Sequence, residues 1–293
     1  MTPIILRNTA VNGDLLEATF LPEKGMNLMS CKKNTLEAID RSTRTRFEER
    51  SSGLGCPIGP HFHLKRQQTI IPPKDLERFP HIAKLGDEAK IDSFPHGVGR
   101  YAAWQAISDA TKVRATLSGK DLLNGVPLSV LEGQNFKMSY DAELTPEGLQ
   151  IKMSVVSHTT SVVGHLPQGK GKVISEVHNA YIGLDYKEVK PIPKGWNFNS
   201  QHVLIFDLDN EADCTFFPFL NPTEGKIAID AITRKLVTIY RSLSQENSWQ
   251  LYHPRGASFV CVDPVSCSQD PRHPNLSVSA LNINLQILDN TDV

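Results

Sequence analysis

Residues 136–144, FKMSYDAEL, alternate without a break. Phe136, Met138, Tyr140, Ala142 and Leu144 fall on one side, and Lys137, Ser139, Asp141 and Glu143 on the other. Successive side chains of an extended chain point to opposite faces, so this order describes a strand with one buried face. The same alternation recurs at 112–117 (Val113, Ala115, Leu117), 149–155 (Leu149, Ile151, Met153, Val155) and 282–287 (Ile283, Leu285, Ile287). Between two of these segments lies TPEG, with Pro146 second and Gly148 fourth, a hairpin connection that makes its flanking strands antiparallel. Further strands are expected at 15–20, 173–184, 202–208, 226–232, 236–241 and 257–263, for a total of about ten. No long segment carries the stripe of an amphipathic helix. Residues 72–87 hold a turn or two at most, and Pro80 is expected to interrupt them. The expected fold class is all-β, a large antiparallel β-sandwich.

The 293 residues are 40% hydrophobic, enough for a large core, and the 19 prolines and 19 glycines are spread along the chain rather than gathered in a linker. One domain over 1–293 is therefore expected. Thirty-one basic residues against 32 acidic ones give a net charge of −1, which supplies no bulk field to draw nucleic acid or an anionic membrane. The first 20 residues lack a basic segment followed by an apolar one, and no apolar run approaches the ~18 residues of a membrane span, so a cytoplasmic location is expected. Five scattered cysteines form no C-x-x-C pair, which fits reduced thiols rather than a disulfide framework or zinc site.

Two glycine-rich stretches are near misses for nucleotide-binding patterns. GHLPQGKGKV places Gly164, Gly169 and Lys170 in G-x-x-x-x-G-K, but Gly171 stands where a P-loop has its hydroxyl. The residues beyond Lys172 are β-branched and aromatic, so a strand is expected where a phosphate-binding loop leads into a helix. GLGCPIG, 53–59, has one residue too many for G-x-G-x-x-G and reads as a turn-rich loop.

The chemistry-bearing residues gather elsewhere. His61 and His63 stand at i and i+2, on one face of a strand, but LKRQQ after them offers no third metal ligand, so no metal is expected. His96 lies between Pro95 and Gly97, with Arg100 and Trp104 beyond. The glycines permit close backbone approach, arginine can fork onto hydroxyls or phosphate, and tryptophan either offers a stacking face for a sugar or fills the core behind a turn. His178, mid-strand in EVHNAYI, is either a satisfied core histidine or an acid–base group. Asp263 precedes Pro264, which cannot extend a ladder, so its carboxylate stands at a sheet rim as a cap or a base.

Taken in order, LPEKGMNLMS (21–30), GLGCPIGPHF (53–62), HGVGRYAAW (96–104), GLQIKMSVVSHTT (148–160), EVHNAYI (176–182) and YHPRGASFVCVDP (252–264) resemble the galactose mutarotase-like superfamily. The second and third are similar to its hexose-6-phosphate epimerase branch. The resemblance implies a β-sandwich that binds a sugar on a concave face and interconverts its α and β anomers without a cofactor. It implies His178 as general acid, Asp263 as general base, and His96, Arg100 and Trp104 as substrate-binding residues. The implied partner is a monosaccharide or sugar phosphate, with neither nucleic acid nor membrane, and the implied state is a monomer or homodimer. Three departures stand out: Asp263 occupies a position where the family usually has Glu, Ser52 replaces an arginine, and HNAYI replaces the usual H-x-Y-F. A base one methylene short leaves a second reading open, a sandwich that binds carbohydrate without turning it over.

Overall fold

The computed structural model describes residues 2–60, 71, 73–87, 89, 92–157, 163–164, 166–168, 171–175, 197–198, 204–207, 211–216, 224–231, 234–242, 248–257, 259–265 and 277–289. Within them the chain is mostly strand, and the ladders are antiparallel. Four strands, β1 (Ile4–Thr9), β2 (Leu15–Leu21), β3 (Asn27–Lys33) and β4 (Leu36–Glu37), form one sheet in sequential order. A ten-stranded sheet runs, edge to edge, through β15 (Asn197–Phe198), β16 (Leu204–Asp207), β14 (Gly171–Ser175), β18 (Glu224–Ala231), β19 (Arg234–Ser242), β22 (Ser277–Asp289), β11 (Gly148–Ser157), β10 (Phe136–Thr145), β7 (Lys112–Ser118) and β6 (Gln105–Ser108). A third sheet takes β17 (Ala212–Phe216), β20 (Ser248–His253), β21 (Val260–Val265), β12 (Val163–Gly164) and β5 (Pro57–Ile58), with β13 (Leu166–Gln168) also on β21. A two-stranded ribbon, β8 (Leu122–Leu123) with β9 (Val126–Pro127), completes the set.

The alternation seen in sequence is the burial pattern of β10, where Phe136, Met138, Tyr140, Ala142 and Leu144 are buried and Lys137 is exposed. Its neighbours match: Ile151 opposes Ala142, and Met138 opposes Leu117. This face meets the buried residues of the first sheet. Phe20 of β2 sets its ring edge-on to Tyr140, centroids 6.0 Å apart, within one continuous apolar core. Removing water from two aromatic rings stabilises the contact by roughly 1.5–3 kcal/mol each.

The TPEG segment turns as expected, with Thr145 paired to Gly148 around Pro146 and Glu147. Gly171–Ser175 is a strand, where a P-loop would begin its helix directly after the lysine. The remainder of the strand expected at 173–184 lies outside the described residues. The turn or two expected at 72–87 are the 3-10 helix Pro73–Arg78 and the helix Pro80–Leu85, and the break between them falls at Phe79, beside Pro80. Pro80 starts the second because a first-turn amide needs no partner within the helix and proline's fixed φ suits that position. Two short helices, Arg44–Arg50 and Leu128–Glu132, carry no sequence stripe long enough to have been anticipated.

Candidate functional site

Three loops meet backbone to backbone. Gly59 N–H donates to His96 O at 3.0 Å, Gly99 N–H donates to Gly59 O at 2.9 Å, and Gly25 N–H donates to Ala102 O at 2.9 Å. The glycines are required by contact. A Cβ on Gly97 would stand 2.2 Å from Gly59 O, and one on Gly25 would stand 2.3 Å from Arg100 O. The segment GLGCPIG is thus a docking surface for the HGVGR turn, and Gly97 and Gly99 of that turn permit the close approach to Gly59.

On that turn His96 adopts φ 63°, in the left-handed region that only a few per cent of non-glycine residues visit, and its side chain is half-buried. Gly97 continues at φ 89° into the 3-10 helix Val98–Arg100. Arg100 is only 5% exposed. One of its terminal nitrogens donates to Tyr101 Oη at 3.0 Å, and the guanidinium carbon lies 5.1 Å from the centre of the Tyr101 ring. Among the described residues its Nε has no hydrogen-bond partner, and no carboxylate forms an ion pair with it.

The surroundings of Arg100 come from far apart in the chain. Tyr101 packs on His81, ring centres 4.6 Å apart, and on Phe94 at 5.3 Å. Burial lowers the His81 pKa to about 4, with the Arg100 charge adding to the effect and a contact between Nε2 and Ser93 O, at 3.1 Å, opposing it. Burial pushes the Cys56 thiol up to about 12 despite the opposing Arg100 charge, so it is an inert neighbour rather than a nucleophile. Asn27, fully buried, donates its amide to Gly53 O at 3.3 Å and to Cys56 Sγ, while its Oδ1 lacks a partner. Sequence reading missed Cys56 and His81, which packing of separate segments brings near Arg100, Asn27, which bonds Cys56, and Tyr101, whose role beside Arg100 no local pattern marks.

Trp104 holds the turn from behind. Its indole N–H donates to Gly99 O at 2.8 Å, its ring sits edge-on to Tyr140 at 6.3 Å, and it is 5% exposed. The core-filling alternative describes its position, since so little of either ring face is open for a sugar to stack upon. Asp263 lies within β21, its backbone opposite Gln250 of β20. The ladder runs on through Pro264 to Val265, so the stop and the rim position expected at Pro264 are corrected, because proline lacks only the amide hydrogen and still fits the extended backbone. His178 lies outside the described residues, as do His61 and His63. Among the described residues no group of three or more His, Cys, Asp or Glu is placed to hold a metal ion. A separate hollow of about 360 Å³, floored by Leu16, Leu144, Leu149 and Leu285, includes none of His96, Arg100 and Trp104.

Solved structures match this arrangement over nearly its whole length. The Slr1438 protein from Synechocystis sp. PCC 6803 aligns with a TM-score of 0.67 at 15% identity, covering 99% of this chain and 97% of its own. A galactose mutarotase-like protein from Lactobacillus casei aligns at 0.64 and 12% identity, covering 98% and 100%. The chain has the fold of the galactose mutarotase-like superfamily. A protein from Escherichia coli K12, provisionally described as an aldose 1-epimerase, shares this fold at a TM-score of 0.58 and 12% identity, over 98% of this chain and 100% of that one. No protein-family model matches the sequence, and no curated protein matches it. In this mutarotase-like fold five of the ordered motifs read from sequence fall on β3, the Gly55–Gly59 docking loop, the His96–Arg100 turn, β11 and β20–β21, while EVHNAYI lies outside the described residues. No helix among the described residues is long and apolar enough to cross a membrane.

Proposed function

We propose that this protein is a carbohydrate 1-epimerase, interconverting the α and β anomers of an aldohexose or hexose 6-phosphate. The observation that carries the reading is Arg100, a buried guanidinium with an unpartnered Nε, on the same turn as the left-handed His96 in a mutarotase-like fold. A buried guanidinium N–H left without an acceptor costs about 1–3 kcal/mol, which a bound anion or hydroxyl cluster removes. Of the two substrate types the hexose 6-phosphate suits it better, since phosphate oxygens match the guanidinium fork. Backbone strain at His96 supports the same turn as the binding element, because such conformations cluster where a ligand is clamped.

In the reaction, His178 gives a proton to the ring oxygen while Asp263 takes the proton of the anomeric hydroxyl. The C1–O5 bond breaks, an aldehyde forms at C1, and rotation about C1–C2 presents its other face. Reclosure reverses both proton transfers and yields the other anomer, leaving both residues in their starting states. No electron leaves or enters, so the chemistry needs only a matched acid and base on opposite sides of C1. His96 and Arg100 hold the sugar, and Trp104 holds the turn that carries them.

The test follows anomer exchange by magnetisation-transfer NMR on glucose, galactose and their 6-phosphates. Asp263→Asn should slow catalysed exchange by about 10²–10⁴-fold, the usual weight of one proton-transfer group. Arg100→Met should raise KM for a 6-phosphate by about tenfold or more while leaving Tm unchanged or higher, since a buried charge with an unpartnered N–H has been replaced by an apolar chain. Wild-type rates in Asp263→Asn, or a wild-type KM together with a collapsed Tm in Arg100→Met, would contradict the assignments.

A further inference from the structure

The turn bearing His96 and Arg100 begins without a local cap. Gly97, the residue before the 3-10 helix Val98–Arg100, has no side chain with which to accept the Val98 amide. The acceptor arrives from 34 residues away, as Glu132 Oε2 takes Val98 N–H at 3.3 Å. Glu132 is 2% exposed. It ends the helix Leu128–Glu132, whose Leu128 and Leu131 are buried and whose Leu128 and Ser129 amides donate to Asp121 O and Gly119 O, each at 2.8 Å. The carboxylate thus rides on an element that is itself fixed.

Every other point of the turn has a different anchor. Gly59 holds the backbone at His96 and Gly99, Trp104 takes Gly99 O, and Tyr101 N–H closes onto Val98 O at 3.1 Å. Val98 stands between two glycines, the residues with the greatest backbone freedom, and Glu132 holds its amide. We infer that Glu132 is a positioning residue for the substrate-binding turn, fixing the separation of His96 from Arg100 by accepting Val98 N–H. The inference rests on the proposed epimerase reading for its kinetic consequence, though its geometric content stands apart.

What a backbone amide needs is an oxygen at the right reach, and its charge matters less. Glu132→Asp keeps the charge and withdraws the oxygen by one methylene, whereas Glu132→Gln keeps the reach and loses the charge. With a hexose 6-phosphate, E132D should raise KM about tenfold with kcat within about threefold, as expected for loss of one buried hydrogen bond on a binding element. E132Q should recover most of that loss. A second readout needs no turnover. The Trp104 indole N–H resonance, assigned with Trp104→Phe, reports Gly99 O and should move in E132D and return to its wild-type position in E132Q. Equal KM values and an unmoved resonance in E132D, or an E132Q as impaired as E132D, would overturn the role. If E132D does not fold, the E132Q resonance decides alone, a wild-type position supporting the role and a displaced one refuting it. If the wild-type protein exchanges no anomers, the epimerase reading fails, and the resonances still decide Glu132.

Discussion

His81 is a titratable ring placed in an apolar stack of Phe79, Phe94 and Tyr101. Burial holds its pKa at about 4, against 6.5 for the free side chain. The unfolded chain therefore binds a proton at this residue over a range where the folded chain does not, and stability must rise with pH there. Its contribution is complete above 6.5 and drains as pH falls towards 4, a loss on the order of 3 kcal/mol. Urea melts at pH 7 and pH 4.5 should show this loss in the wild type and a smaller one in His81→Phe, which keeps a ring in the stack. Equal acid sensitivity in the two proteins would show that another group dominates. The residue matters to the site because the same ring packs on Tyr101, which holds Arg100.

Among the elements, the β10–β11 hairpin is the most sharply determined. Gly148 takes φ 142°, and a Cβ there would stand 2.3 Å from Leu285 O on the adjacent β22. Gly148→Ala should therefore destabilise by on the order of 2 kcal/mol or more and lower Tm, whereas Pro146→Ala in the exposed turn should cost under about 1 kcal/mol. Calorimetry of both variants checks this, and similar Tm values would contradict the close approach. This region was also the most legible in sequence. Strict alternation, one hairpin signal and β-branched residues all favoured the same structure in β7, β10, β11 and β22, so local and tertiary preferences agreed. Strands β5, β8, β9 and β12 are two residues long and carry no period at all. The helix Leu128–Glu132 was missed because its conformation depends on hydrogen bonds and burial supplied from outside the segment. The site divides the same way. His96, Arg100 and Trp104 were legible as a loop cluster, but Trp104 turned out to face the core, and the ring packed on Tyr101, the partner of Arg100, comes from as far as His81.

At the scale of the whole molecule, three antiparallel sheets reproduce the mutarotase-like fold across 98–99% of the chain while sharing 15% or less of its residues with the structures compared. Such a fold constrains where a sugar could bind, whereas chemistry depends on particular side chains at that place. The buried Arg100 turn and the ordered His178 and Asp263 motifs are the two features on which the proposed epimerase reading rests. The most direct measurement is magnetisation-transfer NMR on equilibrated glucose 6-phosphate with and without the wild-type protein. The epimerase reading predicts α-to-β exchange well above the spontaneous rate, falling back to that rate in His178→Ala. A wild-type protein that binds the sugar phosphate and leaves exchange at its spontaneous value would contradict it, and would make this a carbohydrate-binding sandwich in which Asp263 does not serve as the base.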